Sequence, residues 1–319
     1  MKTKSSIRTD LAVETREALG EMQGVSVEEA KLEGMIVSRV RVLDEEGSAT
    51  MQKPIGTYVT VECPALPYRN SETTSALQQV IARELSALMP RNEGMTVLVV
   101  GLGNWNLTPD ALGPKVVSHV LVTRHILEQM PGALEGRLRS VCAISPGVLG
   151  ITGVETGEVV RGVVDKTRPD VVLCVDSLAA RRTNRILTTV QMTDTGVQPG
   201  SGVGNRRNEI SQRTLGVPVV AVGVPMVVHA STISRDAMEG MLETLKLADG
   251  AQGPGEAAPY EGAFEKMLEQ GLPRELEGLI VTPSGIDEAV EVVSSIVAMG
   301  INIALHPRMD PQEMTELLA

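Results

Sequence analysis

Two acidic residues stand where strand-like runs give way to loops. Asp110 follows "VLVVGLGNWNLTP", a Val-rich run that breaks into Gly, Asn and Pro, and Asp176 closes "DVVLCVD". Strands of a parallel sheet deliver their C-terminal ends to one edge, where ligands bind. Carboxylates from two such ends can converge, share a proton and divide the roles of acid and base, as activation of a water for hydrolysis requires. Each also has a simpler reading: Asp110 as a helix-start acid beside Pro109, and Asp176 as a cap for the "SLAARR" that follows.

Other chemistries fit less well. The Gly101 and Gly103 pair is followed by Asn106 where a dinucleotide fingerprint needs its third glycine. No G-x-S-x-G elbow and no H-E-x-x-H occurs. His119 and His125, six apart on an expected helix, face different sides. His229, after "VPVVAVGVP", can reach the same sheet edge as the two acids and is a candidate metal ligand. Backbone N–H groups of the Gly-rich loops, around Gly103 and Asn104 or around Gly202 and Gly204, are candidate oxyanion donors. Arg206 and Arg207 beside the second loop suit an acidic or phosphate-bearing ligand, or plain solvation.

These residues need a frame. Val-rich runs at 95–100, 140–144, 170–176, 185–192 and 217–225 alternate with amphipathic stretches at 75–89, 112–128 and 155–167. Continuous apolar strands separated by helices predict a three-layer α/β/α fold with a mostly parallel or mixed central sheet. Before it come a helix over 11–22 and strands over 35–43 and 56–62, an N-terminal elaboration. The Gly/Pro-rich stretch 248–262 reads as an insertion, and 287–307 as a closing helix with a short strand or turn.

The chain has 319 residues and a formal charge of −11, which disfavours nucleic acid and anionic membrane as partners. Its three cysteines lie far apart, with no disulfide framework or zinc knuckle. No run is expected to span a bilayer and the N-terminus lacks an apolar signal region, so a cytoplasmic location is expected.

Eight blocks in order, among them "IRTDLAVET", "GLGNWNLTPDALGPKVV", "SPGVLGITGVET", "CVDSLAAR" and "TDTGVQPGSGVGNRR", resemble the germination protease (spore protease) family. The resemblance implies an atypical aspartic endopeptidase without a cofactor, made as an autoprocessed zymogen. It implies a homotetramer that degrades small acid-soluble spore proteins in the forespore and germinating spore core. It places the catalytic aspartates on Asp110 and Asp176, and the self-processing cut between Asp10 and Leu11. Residues 1–10 are then a pro-segment and 11–319 one peptidase domain. Asp10 can also simply N-cap the helix that follows, with Leu11, Ala18 and Met22 on its buried side. More distantly, "VGLGNWNLTPDALG" is similar to the loop of hydrogenase maturation endopeptidases, whose acids bind nickel. That resemblance implies a shared scaffold and a rival metal-dependent reaction, with nickel or zinc held by Asp110, Asp176 and His229. A non-catalytic spore-protein-binding scaffold is the third reading.

Overall fold

The computed structural model describes residues 9–68, 71–92, 94–130, 136–200, 208–248, 276 and 278–318. Gly202, Gly204, Arg206, Arg207 and nearly all of the expected insertion lie outside them.

Among the described residues, nine strands form one mixed sheet in the order β1-β2-β3-β7-β8-β6-β4-β5, with β9 (Ile280–Val281) pairing β8 from off this path. The N-terminal strands β1 (Val25–Leu32), β2 (Met35–Val42) and β3 (Gly56–Glu62) form an antiparallel meander. It joins the rest through the antiparallel pair of β3 with β7 (Thr189–Thr193). The other half is parallel: β5 (Ser140–Ile144), β4 (Thr96–Gly101), β6 (Val171–Ala180) and β8 (Val219–His229). Strands β4, β6 and β8 bear side chains buried on both faces, which is why they read as unbroken Val runs.

Helices cover both faces, so the expected three-layer architecture is present. On one face α3 (Ser71–Leu88), α4 (Leu112–Ser118) and the 20-residue α10 (Ile286–Leu305) pack over Val97, Val99, Leu173 and Val175. On the other, α7 (Thr156–Thr167) and α8 (Gln212–Leu215) cover Leu98, Val100, Val172 and Cys174. The remaining helices among the described residues are α1 (Ala12–Leu19), α2 (Glu45–Met51), α5 (Arg124–Gln129), α6 (Leu149–Thr152), α9 (Ala230–Ala248) and α11 (Pro311–Leu318).

Several expectations need correction. By length and composition α10 could cross a membrane, against the expectation that no run would. It is instead mostly buried, and Gly300 lets it approach Ile81 of α3 so closely that a Cβ there would lie 2.8 Å from the Ile81 side chain. The helix expected over 112–128 is two helices. Buried Asn302 of α10 accepts from the Leu121 N–H and donates to the His119 carbonyl, drawing the chain out of helical pairing between them. Strand β6 continues past Asp176, because Leu178, Ala179 and Ala180 go on pairing with β8. The stretch 287–307 is as expected, a helix to Leu305 and then a turn at Pro307 and Arg308; α11 follows, where Asp310 accepts from the Gln312 N–H.

Candidate active site

The loop carrying Asp110 is built on a close approach of main chains. Strand β4 ends at Gly101, paired with Val175 of β6, and the Leu102 N–H extends the ladder by one bond to the Val175 carbonyl at 2.8 Å. Gly103 then turns with φ +112, a conformation that favours glycine. A Cβ on Gly103 would lie 2.0 Å from the Asp110 carbonyl oxygen and 3.1 Å from Asp110 Oδ1, so the carboxylate folds back over this glycine. The Asn104 N–H closes the loop onto the Asp110 carbonyl at 3.0 Å, and the Asp110 N–H donates to the Leu107 carbonyl at 2.7 Å. That commits the Asn104 amide, one expected oxyanion donor, to holding the loop.

Helix α4 locks this loop to β6. A Cβ on Gly113 would sit 2.2 Å from the Leu102 carbonyl and 2.5 Å from that of Val175. The 3-10 turn Thr108–Asp110 consequently packs against both β6 and β8, and Thr108 Oγ1 donates to Asp287 at the start of α10 at 2.6 Å. The loop that carries Asp110 is thus held against β6 at Val175, one residue before Asp176. Asp110 is part-buried; Asp176 is buried, with Oδ1 accepting from the Ser177 N–H at 2.9 Å. Asp176 caps no helix. Cys174, one pleat earlier on the same face, is an unsuitable nucleophile: burial pushes its thiol well above the usual range, and the charge of Asp176 adds to this.

Asp176 pairs with Gly223 of β8, and Gly223 pairs on its other side with Gln191 of β7. Paired residues send their side chains to the same face, so Asp176 and Gln191 rise together, about 10 Å apart at two strand spacings. Gln191 is buried and grips the N-terminal segment: Nε2 donates to the Asp10 carbonyl at 3.0 Å and Oε1 accepts from the Ala12 N–H at 2.7 Å. One side chain therefore brackets the Asp10–Leu11 peptide bond. Lys53 Nζ donates to the same Asp10 carbonyl at 2.9 Å. Burial lowers the Lys53 amine below its usual range, against the pull of the Asp10 and Glu14 charges.

Asp10 does not cap α1, correcting that alternative. Its N–H donates to the Ala179 carbonyl at 2.9 Å and its Oδ2 accepts from the Ala179 N–H at 2.8 Å, so it serves as a partner of β6 just beyond Asp176. The N-cap is Leu11, which has no side-chain cap bond. Nor does α1 bury the stripe Leu11, Ala18, Met22: residues Leu11 to Thr15 are all buried while Ala18 is exposed, because the helix inserts its first turn end-on. Glu14 anchors that turn by accepting from the Arg181 and Arg182 N–H groups at 2.6 and 2.8 Å.

The structure does not bring His229 to Asp176. It follows the Ala180–Val228 pair, roughly 17–20 Å along the strands from Asp176 at 3.3 Å per residue. No group of three or more His, Cys, Asp or Glu side chains suited to a metal ion occurs among the described residues. His125 is exposed and His119 ends α4, so neither joins the site. Sequence reasoning missed Gln191, Lys53 and Gly223. A lone amide in the apolar run around 190–192 was the available signal for the first; Lys53 carried none.

A family model described as germination protease matches residues 4–277. The chain is 45% identical over 326 residues to the germination protease of Caldanaerobacter subterraneus subsp. tengcongensis, covering 98% of each chain. It is 42% identical to that of Clostridium tetani, over 98% of this chain and 99% of the relative. To that of Bacillus cereus it is 38% identical, over 97% and 96%.

Proposed function

The chain belongs to the germination protease family and is an endopeptidase, and on that premise we propose that it is an aspartic peptidase using Asp110 and Asp176. The observation that carries this reading is the clasp between the Asp110 loop and β6 immediately before Asp176, built on Gly103 and Gly113. Two carboxyl groups brought close together can hold a water between them. The ionised one takes a proton from that water, and the protonated one hydrogen-bonds the carbonyl under attack. No covalent intermediate forms.

Its substrates on this reading are small acid-soluble spore proteins, whose acidic-apolar-Ala-x-Glu pattern the chain carries itself as Asp10-Leu11-Ala12-Val13-Glu14. The protein is then a zymogen that removes Met1 to Asp10, works as a homotetramer, and acts within the forespore and germinating spore core. The expectation is tested by incubating the protein with a small acid-soluble spore protein and following fragments by mass spectrometry. Fragments produced by wild type and lost in both Asp110→Asn and Asp176→Asn support the dyad. Undiminished cleavage by either variant removes it.

A further inference from the structure

The Asp10 carbonyl oxygen has two side-chain donors converging on it, Lys53 Nζ at 2.9 Å and Gln191 Nε2 at 3.0 Å. Both donors come from structurally independent places. Lys53 follows α2 and Gln191 sits in the middle of the β7 strand. A main-chain carbonyl needs only one partner to be satisfied, so the second donor is not required by hydrogen-bond bookkeeping. The bond so held is the one at which self-cleavage is expected, and Gln191 stands in the same cross-strand row as Asp176, with only Gly223 between.

We propose that Lys53 and Gln191 are the oxyanion donors for cleavage of the Asp10–Leu11 bond, an assignment that rests on the self-processing reading above. In that step water oxygen bonds to the Asp10 carbonyl carbon as a carboxylate of the dyad takes one of its protons. The carbonyl π electrons move onto oxygen, where the Lys53 ammonium and the Gln191 amide meet the new charge. When the C=O double bond re-forms, the C–N bond breaks and the proton held by the dyad passes to the Leu11 nitrogen; the remaining water proton, left on the new Asp10 carboxyl group, then transfers to the freed amine. The products are an Asp10 carboxylate and a Leu11 ammonium, with one water consumed.

A latch that merely held the segment would bind the uncut carbonyl as well as anything on the path. A cation and an amide aimed at the oxygen bind the tetrahedral oxyanion more strongly than the neutral carbonyl, because the charge appears where they already point. Gln191 adds register: with Oε1 on the Ala12 N–H and Nε2 on the Asp10 carbonyl, it fixes the chain on both sides of Leu11. The two roles predict opposite signs. Loss of a latch exposes the bond and speeds the cut, whereas loss of an oxyanion donor slows it.

The experiment follows the intact mass of full-length protein with time under activating conditions, for wild type, Lys53→Met, Lys53→Arg, Gln191→Met and Asp110→Asn. Wild type is expected to lose Met1 to Asp10, and Lys53→Met to do so about a hundredfold more slowly, the usual cost of one oxyanion donor. Lys53→Arg, which keeps a cationic donor, recovers part of the rate, and Gln191→Met is slowed as well. Far-UV circular dichroism checks each fold; should Lys53→Met not fold, Gln191→Met decides alone. Processing of the folded variants at or above the wild-type rate overturns the assignment while leaving self-processing intact. A wild type that keeps its first ten residues, or an Asp110→Asn protein that loses them unaided, overturns the self-processing reading itself and the assignment with it.

Discussion

Gln191 and Asp176 flank Gly223 on the same face of the sheet, one holding the N-terminal segment and the other following Val175, to which the Asp110 loop is tied. The glycine between them is occupied space. A Cβ there would lie 2.6 Å from Leu178 Cγ and 2.9 Å from the Asp176 carbonyl oxygen. Leu178 fills the notch and packs with Leu11, so the row, β6 and the N-terminal segment are one packed unit.

Gly223→Ala is therefore expected to push Leu178 and the β6 main chain outward at Asp176. Overpacking of this kind costs about 1–3 kcal/mol, read as a lower urea midpoint. Peptidase activity should fall at least about tenfold, since misplacement of a reacting group by a fraction of an ångström is felt strongly. Unchanged kcat/KM in the folded variant would mean that the row does not position Asp176.

Asp176→Asn should lose activity by about 10²–10⁴, the range for a residue that moves a proton, while the fold persists. The reason for persistence is specific: an asparagine Oδ1 can still accept from the Ser177 N–H that Asp176 now uses. A midpoint of thermal unfolding within a few degrees of wild type, together with lost cleavage, is the expected pair of results. A collapse of the midpoint would make the aspartate a structural residue.

The parallel half of the fold was legible because β4, β6 and β8 are buried on both faces and so appear as Val runs. Asp176 stands out for the same reason, as a charge within such a run, and Asp110 as the acid of the loop that leaves β4. What the chain pattern concealed depends on partners distant in sequence. Asn302, 181 residues from Leu121, breaks a helix that local periodicity supports. Lys53 and Gln191 meet Asp10 across 43 and 181 positions, and no local spacing encodes such a meeting. The Val run alone ends β6 at Asp176, because the pairing that extends the strand to Ala180 is supplied by β8.

Arg185 ties the α1 insertion to the sheet. Buried to 5% exposure, it reaches Glu17 at 2.7 Å, Glu62 at 3.1 Å and Glu14 at 3.6 Å. Arg185→Met leaves three carboxylates facing one another without their shared cation, and removal of one partner from a buried ionic group costs about 3–5 kcal/mol. The partial exposure of Glu17 and Glu62 favours the lower end of that range. Chemical denaturation measures it, and a loss under about 1 kcal/mol would show that the carboxylates find water instead.

His306 gives the fold a pH dependence whose sign can be worked out. Its ring is wholly buried at the end of α10, where Nδ1 accepts from the Arg139 N–H at 3.3 Å and Nε2 faces the Leu121 carbonyl at 3.3 Å. An imidazolium has no lone pair for the Arg139 N–H, and burial pushes the His306 pKa down to about 4, with the Arg139 charge acting in the same direction. In the unfolded chain the residue titrates near 6.5. Between those values the unfolded state carries a proton that the folded state refuses, so stability falls as pH falls. The contribution is fully present above pH 6.5 and lost on the way down to about pH 4, by about 1.4 kcal/mol per unit. His306→Gln keeps an acceptor and a donor but cannot titrate. The stability advantage of wild type over this variant, from urea unfolding, should therefore shrink by about 2 kcal/mol between pH 7 and pH 5. A difference that stays constant over that range would mean that the buried ring takes its proton as readily as the unfolded one.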